Sequence, residues 1–271
     1  MSPERVHIRE LAGWGLDISE YRPHALDSEK LDRARRIISG RVLQSTNALL
    51  ELETMELQDY LSRHAARPDL EVEMEGLEWS FGVVDLRLLL AFQRRLVFNS
   101  AVPDVVVPSQ EDWPSLVDLS FGPAKTVVYD LTRCAETSSI ILRSNDPNLH
   151  LRISNDRSAP ITVHAGSPFL EVAFYRGRWF LRDGYHRAFA LLRAGVFRFP
   201  AVIVKARTLD ELGAVQPWFF SEETLFLSSP PYVIDFLNDA LTIDYDRPSL
   251  IKTLRVTMEE TFERATQGDL L

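Results

Sequence analysis

The chain has 271 residues, of which 45% are hydrophobic, 10% aromatic and 25% charged, as in an ordinary globular protein with a sizeable core. This length suits one large domain or two small ones. The formal net charge is −9 and the pI is near 5.2. Such an acidic chain is not expected to bind nucleic acid or an anionic membrane through the electrostatic attraction of its whole surface.

The N-terminal segment 1–23 has scattered charges and no apolar stretch of the kind found in secretory signals. The most apolar run, 86–98, is interrupted by three arginines and is shorter than the roughly 20 residues that cross a bilayer. The single cysteine, Cys134, excludes an intrachain disulfide and fits a reducing compartment. We therefore expect a cytoplasmic protein with no membrane partner.

Residues 1–68 are predicted to form a helical N-terminal region. Leu31, Ala34 and Ile38 recur at helical spacing within the segment 25–65. A second helix is predicted over 49–61, and the Arg-Pro pair at 67–68 ends the helical pattern.

Residues 69–125 are predicted to form an α/β segment that packs on the core. Leu70, Val72 and Met74 alternate with glutamates, which predicts a strand with one solvated face. The run 86–98 is compatible with either a short buried helix or a strand. A short extended piece follows at 105–108, and a helix that opens at Pro114 is predicted over 113–119.

Residues 126–215 are predicted to form the core, because seven apolar runs there are typical of strands and one run is typical of a helix. The Arg-Gly pair at 176–177 lies between two aromatic runs and predicts a hairpin. The helix spans 185–194. Strands on both sides of a single helix predict an α+β fold with a mixed sheet. The predicted strands are 126–131, 139–143, 149–154, 161–164, 170–175, 178–181 and 201–205.

Residues 216–271 are predicted to form a C-terminal extension. Just before it, a short helix is predicted over 209–214. A further helix is expected near 232–240, and the segment after Pro248 is equally compatible with a strand and a helix.

The strongest functional pattern is the turn Asp183-Gly184-Tyr185-His186-Arg187, which follows an apolar strand and opens the predicted helix. The start of a helix exposes about four N–H groups and the positive end of the macrodipole. The glycine lets the backbone approach a ligand, while the His-Arg pair adds positive potential where cations are otherwise unfavourable. This combination predicts an anion site, most simply for phosphate.

The local charge supports the same interpretation. Residues 171–207 contain eight Lys or Arg and two acids, whereas residues 209–248 contain eight acids and one arginine. A focused positive site in an acidic body suits a small phosphorylated ligand better than a polymer.

The run FLRDGYHRAFALLRAG, followed by FPAVIVKARTLDEL, resembles the nucleotide-binding core shared by ParB N-terminal domains and sulfiredoxins. The resemblance covers about residues 170–210. It implies that Gly184, His186 and Arg187, with Tyr185 between them, cradle the phosphates of a nucleoside triphosphate such as ATP or CTP. Tyr185 stands where sulfiredoxins carry their catalytic cysteine, so the resemblance does not extend to sulfiredoxin chemistry.

Asp183 has three possible roles: it binds Mg²⁺ or acts as general base in phosphoryl transfer, it pairs with Arg187, or it caps the helix. The resemblance to ParB-like serine kinases, which carry an aspartate before the glycine, makes the first role conceivable. Glu171, on the strand that enters the hairpin, is a candidate second catalytic carboxylate facing the same pocket. His164, at a strand end, is a candidate cofactor contact.

These features lead to one main functional expectation. The chain is predicted to bind a nucleotide or phosphate and to act, in one version, as a Mg²⁺-dependent small-molecule phosphotransferase or nucleotide hydrolase. An alternative is a non-catalytic module whose nucleotide binding controls association with a protein partner. A DNA-associated regulator is least favoured, because the chain is acidic and its C-terminal part shows no clear helix-turn-helix.

Overall fold

The computed structural model describes residues 5–17, 22–23, 28–42, 47–50, 55–98, 105–123, 125–153, 158 and 160–262. Helices and mixed sheets both occur, which confirms the α+β class. The chain forms two compact units, Met1–Ala124 with Ser167–Ser249 and Lys125–Gly166 with Leu250–Leu271. This division separates residues 126–166 of the predicted core from the remainder. The helices are α1 (Ser28–Ser39), α2 (Met55–His64), α3 (Pro68–Glu73), α4 (Trp113–Ser120), α5 (Tyr185–Arg193), α6 (Leu209–Leu212) and α7 (Glu222–Leu225).

The strands include all seven of the predicted core, although the first is displaced toward the C-terminus. Short 3-10 helices span Leu86–Leu88 and Val233–Leu237. The strands are β1 (Arg5–Leu11), β2 (Leu49–Leu50), β3 (Trp79–Asp85), β4 (Leu90–Ala91), β5 (Arg95–Phe98), β6 (Asp130–Cys134), β7 (Ser139–Ser144), β8 (His150–Ile153), β9 (Ile161–His164), β10 (Glu171–Tyr175), β11 (Arg178–Asp183), β12 (Arg198–Lys205), β13 (Thr242–Pro248) and β14 (Lys252–Thr257).

A mixed six-stranded sheet forms the centre of the first unit, in the order β2-β3-β12-β10-β11-β4. The β10–β11 hairpin is the one that the Arg-Gly pair predicts, and both Arg176 and Gly177 have positive φ angles, 47° and 80°. Strand β12 returns parallel to β10 after α5. This places the start of α5 at the end of β11, next to the beginning of β10.

Side chains of β10, β11, β12 and α5 make up much of the main hydrophobic core. Phe180, Phe199 and Val202 are completely buried, as are Ala188 and Leu191 on one face of α5. The predicted apolar face of this helix is therefore confirmed. Burying a large apolar side chain contributes about 1.5–3 kcal/mol relative to leaving it exposed, so this packing holds the turn at 183–184 firmly in place.

The N-terminal region is only partly helical. Residues 28–39 and 55–64 are helices, but β1 is a strand that lies between β13 and β5 in a three-stranded sheet. Alternation of Val6 and Ile8, both buried, with more exposed neighbours explains why this segment forms a strand. The second predicted helix begins later than expected, because Leu49–Leu50 pairs with β3.

The strand predicted over residues 70–75 is wrong, since Pro68–Glu73 is helix α3. Pro68 occupies the first turn, where its fixed φ angle favours a helix, and Arg67 before it is extended. Leu70 and Met74 are buried four residues apart, whereas Val72 is 48% exposed. The apolar residues alternate as in a strand, but only Leu70 and Met74, which are one helical turn apart, face the core.

Two other segments differ from simple helices or strands. The run 86–98 contains a 3-10 turn followed by β4 and β5. It is not one continuous element, because β4 belongs to the six-stranded sheet and β5 to the three-stranded sheet with β1. The segment 232–240 forms only a 3-10 helix, Val233–Leu237. The helix over 113–119 is confirmed as α4, and the segment after Pro248 contains strand β14.

The second unit contains a three-stranded sheet, β14-β7-β6, and a two-stranded sheet, β8-β9. Leu142 on the central strand β7 is buried, while β6 is largely exposed. Among all the described residues of the chain, no helix combines the length and the apolar character needed to span a bilayer.

Candidate functional site

The turn between β11 and α5 is built around Gly184. Its φ angle of 91° lies in the left-handed region, and it precedes the first residue of the helix without any side-chain cap. A Cβ atom at this position would lie 3.1 Å from the Leu170 side chain and 3.3 Å from Nη2 of Arg187. Both the conformation and the close approach therefore require glycine.

Glu171 and Asp183 lie opposite each other at the beginning of β10 and the end of β11. The register shifts between Glu171 and Val172, which pairs with Leu181, so Arg182 is an extra residue in the ladder. Such β-bulges redirect side chains and are frequent next to active sites. The structure thus brings together the two carboxylates that the sequence singles out.

Glu171 is completely buried and has two polar partners. Its Oε1 accepts a hydrogen bond from the Ser167 hydroxyl, and its Oε2 forms an ion pair with Nη1 of Arg182. Burial raises the pKa of Glu171 to about 7, and the carboxylates of Asp183 and Glu73 add to the shift while Arg182 opposes it. A group with this pKa exchanges a proton near neutral pH.

Glu171 should make stability depend on pH. Between its ordinary pKa of 4.5 and the folded value of about 7, the folded chain retains a proton that the unfolded chain has released. The stabilisation from this group is therefore complete below pH 4.5 and is lost as the pH rises through 7. We expect the unfolding free energy of the wild type, minus that of Glu171→Gln, to fall across this interval.

Denaturant titrations of both proteins at several pH values measure this difference. Glu75→Gln is the matched control, because it removes an exposed carboxylate from the same unit. A difference that stays constant or increases with pH would contradict the assignment to Glu171.

Asp183 is half-buried, and one of its carboxylate oxygens accepts a hydrogen bond from the backbone N–H of Gly184. This contact fixes the turn, but the N-cap position of α5 is occupied by Gly184 and not by Asp183. The half-buried position leaves Asp183 closer to solvent than Glu171.

Arg187 is placed differently from the phosphate contact that the resemblance implies. Its Nη1 donates to the carbonyls of Leu119, Ser120 and Pro168 at 3.0, 3.2 and 2.7 Å, and its Nη2 donates to the carbonyl of Phe169. Burial lowers the pKa of Arg187. The guanidinium joins the end of α4 to the segment before β10, so it supports the turn from within rather than facing a ligand.

Tyr185 and His186 also contact protein backbone. The buried Tyr185 hydroxyl donates to the carbonyl of Leu181 at 2.9 Å and accepts from the N–H of Phe92 at 3.1 Å. Nε2 of His186 lies 3.0 Å from the carbonyl oxygen of Val97. The side chain of Tyr185 is thus a core element, and His186, which is half-buried, remains the side chain of this pair nearer to solvent.

His164 belongs to the second unit and is a cross-strand partner of His150, with ring centroids 5.6 Å apart. Its Nδ1 lies 2.7 Å from the carbonyl oxygen of Ala165. The structure thus pairs His164 with His150 within the second unit, whereas the β11–α5 turn belongs to the first.

Two side chains of the site had little or no signal in the sequence. Ser167 contacts Glu171 only because the chain bends before β10, and Arg182 reaches it only because of the bulge. A strictly alternating strand would direct Arg182 away from Glu171.

A metal ion finds few ligands in the described part of the chain, where no group of three or more His, Cys, Asp or Glu side chains gathers. Both oxygens of Glu171 are already engaged. Mg²⁺ at nucleotide sites is often held by one or two carboxylates together with substrate phosphates. Asp183 alone fits this need, and only together with a phosphorylated ligand.

Comparison of the chain with protein-family models, with curated proteins and with solved structures gave no match.

Proposed function

We propose that this chain binds a phosphorylated small molecule, of the nucleoside triphosphate class that includes ATP and CTP, at the start of α5. One observation carries the proposal: the nine-residue helix begins after a left-handed glycine, and this N-cap residue has no side chain to accept from the first N–H groups of the helix. These groups and the helix dipole favour an anion. The resemblance to the ParB/sulfiredoxin-like core supports the same ligand, and the single cysteine supports a cytoplasmic location.

The residues of the turn have separate roles in this proposal. The N–H groups at the helix start contact phosphate, Gly184 gives the backbone its close approach, and His186 flanks the ligand. Arg187 is a positioning residue, because its guanidinium fixes the two segments that border the turn. Asp183 would hold Mg²⁺, which supplies charge neutralisation of the phosphates when bound.

The carboxylates of Asp183 and Glu171 support a version of the proposal in which the chain is an enzyme. Asp183 borders the helix start, and Glu171 behind it holds or releases a proton near neutral pH. Such a pair suits a phosphotransferase or nucleotide hydrolase in which Asp183 holds Mg²⁺ or, as the alternative role, accepts a proton from the attacking group.

A second candidate is a non-catalytic module that responds to a nucleotide by binding a partner protein. It is favoured by the observation that Tyr185, His186 and Arg187 all contact backbone carbonyls. In this version the turn mainly holds the fold together. The acidic composition makes a DNA-associated role the least favoured.

Thermal unfolding with ATP, CTP or sulfate, each with and without Mg²⁺, tests the proposal. Ligand at a hundred times its Kd should stabilise the chain by about 2.7 kcal/mol. Asp183→Asn should lose the Mg²⁺-dependent part of the stabilisation by nucleotide and keep the part produced by sulfate. Asp59→Asn, which changes an exposed carboxylate on α2, is the control.

The outcomes separate the alternatives. No stabilisation by any of these anions would refute the phosphate site. Stabilisation accompanied by release of phosphate that Asp183→Asn abolishes would support the enzyme, and stabilisation without release would support the module.

A further inference from the structure

A positively charged groove lies on the first unit, beside α1 and apart from the β11–α5 turn. Helix α1 buries Ala34 and Ile38 against Leu241, which fixes its orientation. Lys30, Arg33 and Arg36 recur every three residues and therefore share one side of the helix. A depression of about 540 Å³ beside them is lined by Glu29, Lys30, Arg33, Arg36, Asp239 and Ala240.

One of the two acids that line this groove, Asp239, has a cationic partner outside α1. Asp239 forms an ion pair with Nη2 of Arg9, and this contact, with a smaller effect from Lys30, lowers the pKa of Asp239. Arg9 also forms an ion pair with Asp244 at 2.8 Å. The main cationic partner of Asp239 is therefore Arg9 of β1, which Asp239 shares with Asp244.

The arginines of α1 carry the excess charge. Within the part of the chain that the structure describes, Arg33 has no hydrogen bond or ion pair, and Arg36 donates only to the backbone carbonyl of Asp32, at 3.4 Å. Both side chains are exposed. By contrast, Arg35 on the same helix pairs with the carboxylate of Asp32 at 3.1 Å and does not line the groove.

The groove continues past Asp239 toward two large apolar side chains. An adjoining depression of about 610 Å³ shares Asp239 and Ala240 with the first and is also lined by Ile234, Asp235, Leu237 and Asn238. Ile234 and Leu237 are half-buried, and Asp235 is ion-paired with Arg41 at 2.7 Å. The combined surface thus carries the cations of α1 at one end and two large apolar side chains, among paired carboxylates, at the other. An extended peptide with apolar side chains next to carboxylates complements both ends.

We propose that this groove docks an acidic peptide segment of a partner protein, with its carboxylates on Arg33 and Arg36 and its apolar residues on Ile234 and Leu237. Nucleic acid fits less well, because its phosphate backbone needs a longer series of cations than Lys30, Arg33 and Arg36 provide and offers no aliphatic side chain to Ile234 and Leu237. The proposal is independent of the phosphate site, since the two use different residues.

Fluorescence anisotropy at low salt tests the groove with the full chain and a labelled peptide in which leucines precede a run of glutamates. We expect saturable binding that weakens as salt is added. Arg33→Glu and Arg36→Glu should each weaken it about tenfold, because attraction becomes repulsion at the contact. Arg35→Glu makes the same charge change outside the groove and should alter the Kd by less than about twofold.

Further probes separate the alternatives. Replacing leucine by serine in the peptide should weaken binding, and replacing glutamate by lysine should abolish it. The proposal is overturned if the peptide does not bind, if Arg35→Glu has the same effect as Arg33→Glu, or if a labelled oligothymidine binds as tightly as the peptide. Circular dichroism of each variant confirms that these exposed substitutions leave the fold unchanged.

Discussion

Replacing Arg187 with methionine is expected to lower the free energy of unfolding by about 3–5 kcal/mol, even in the absence of any ligand. Methionine keeps most of the length of the side chain but has no donors. The carbonyls of Leu119, Pro168 and Phe169 would then lose a charged partner in a half-buried environment. Denaturant unfolding monitored by circular dichroism measures the loss.

Two companion variants make this expectation specific. Arg193→Met changes an exposed arginine in the last turn of the same helix and should cost less than about 0.5 kcal/mol. Arg187→Lys keeps the charge but lacks the planar set of donors, so it should still lose stability. If Arg187→Met unfolds like the wild type and loses only anion binding, Arg187 is a ligand contact and its supporting role is refuted.

Replacing Gly184 with alanine is expected to destabilise the chain by about 2–4 kcal/mol, the second large effect. The left-handed conformation costs a residue with a Cβ atom about 1–2 kcal/mol. Crowding against Leu170 and Arg187 adds a further cost, since the distances of 3.1 and 3.3 Å are shorter than ordinary contacts. Chemical unfolding again provides the measurement.

Gly195, just beyond the other end of α5, supplies the control. Its φ angle of 80° is also left-handed, but a Cβ atom there would meet nothing within 4 Å. Gly195→Ala should therefore lose only the free energy that the left-handed conformation costs a residue with a Cβ atom. The loss of stability in Gly184→Ala minus that in Gly195→Ala then measures the cost of crowding at Gly184. Equal losses would mean that crowding at Gly184 is negligible.

Local sequence patterns predicted the centre of the fold well. The hairpin at 176–177, strand β9 and the buried face of α5 depend on neighbouring residues, so their signals are contained in short windows. The pattern failed at α3, where Val72 happens to be apolar but exposed. It also missed β1, whose partners are distant in the sequence.

The site was predicted in part. Glu171 was expected to face the same pocket as Asp183, and the two are indeed cross-strand neighbours. The position of Arg187 could not be predicted, because its acceptors come from residues 119–120 and 168–169, which meet only in the folded chain. A sequence shows that an arginine is present but not whether its donors are already used.

The pairing of β1 with β13 has a consequence for how the chain folds. Arg5 lies opposite Pro248, so one edge of β1 acquires its partner only after residues 242–248 have been synthesised. During synthesis β1 emerges before both of its partners and can pair with β5, but it has to wait for β13. Contacts between residues so far apart slow folding. We expect a late kinetic step in which this edge closes, and chains released before residue 242 to expose an unpaired strand that favours aggregation.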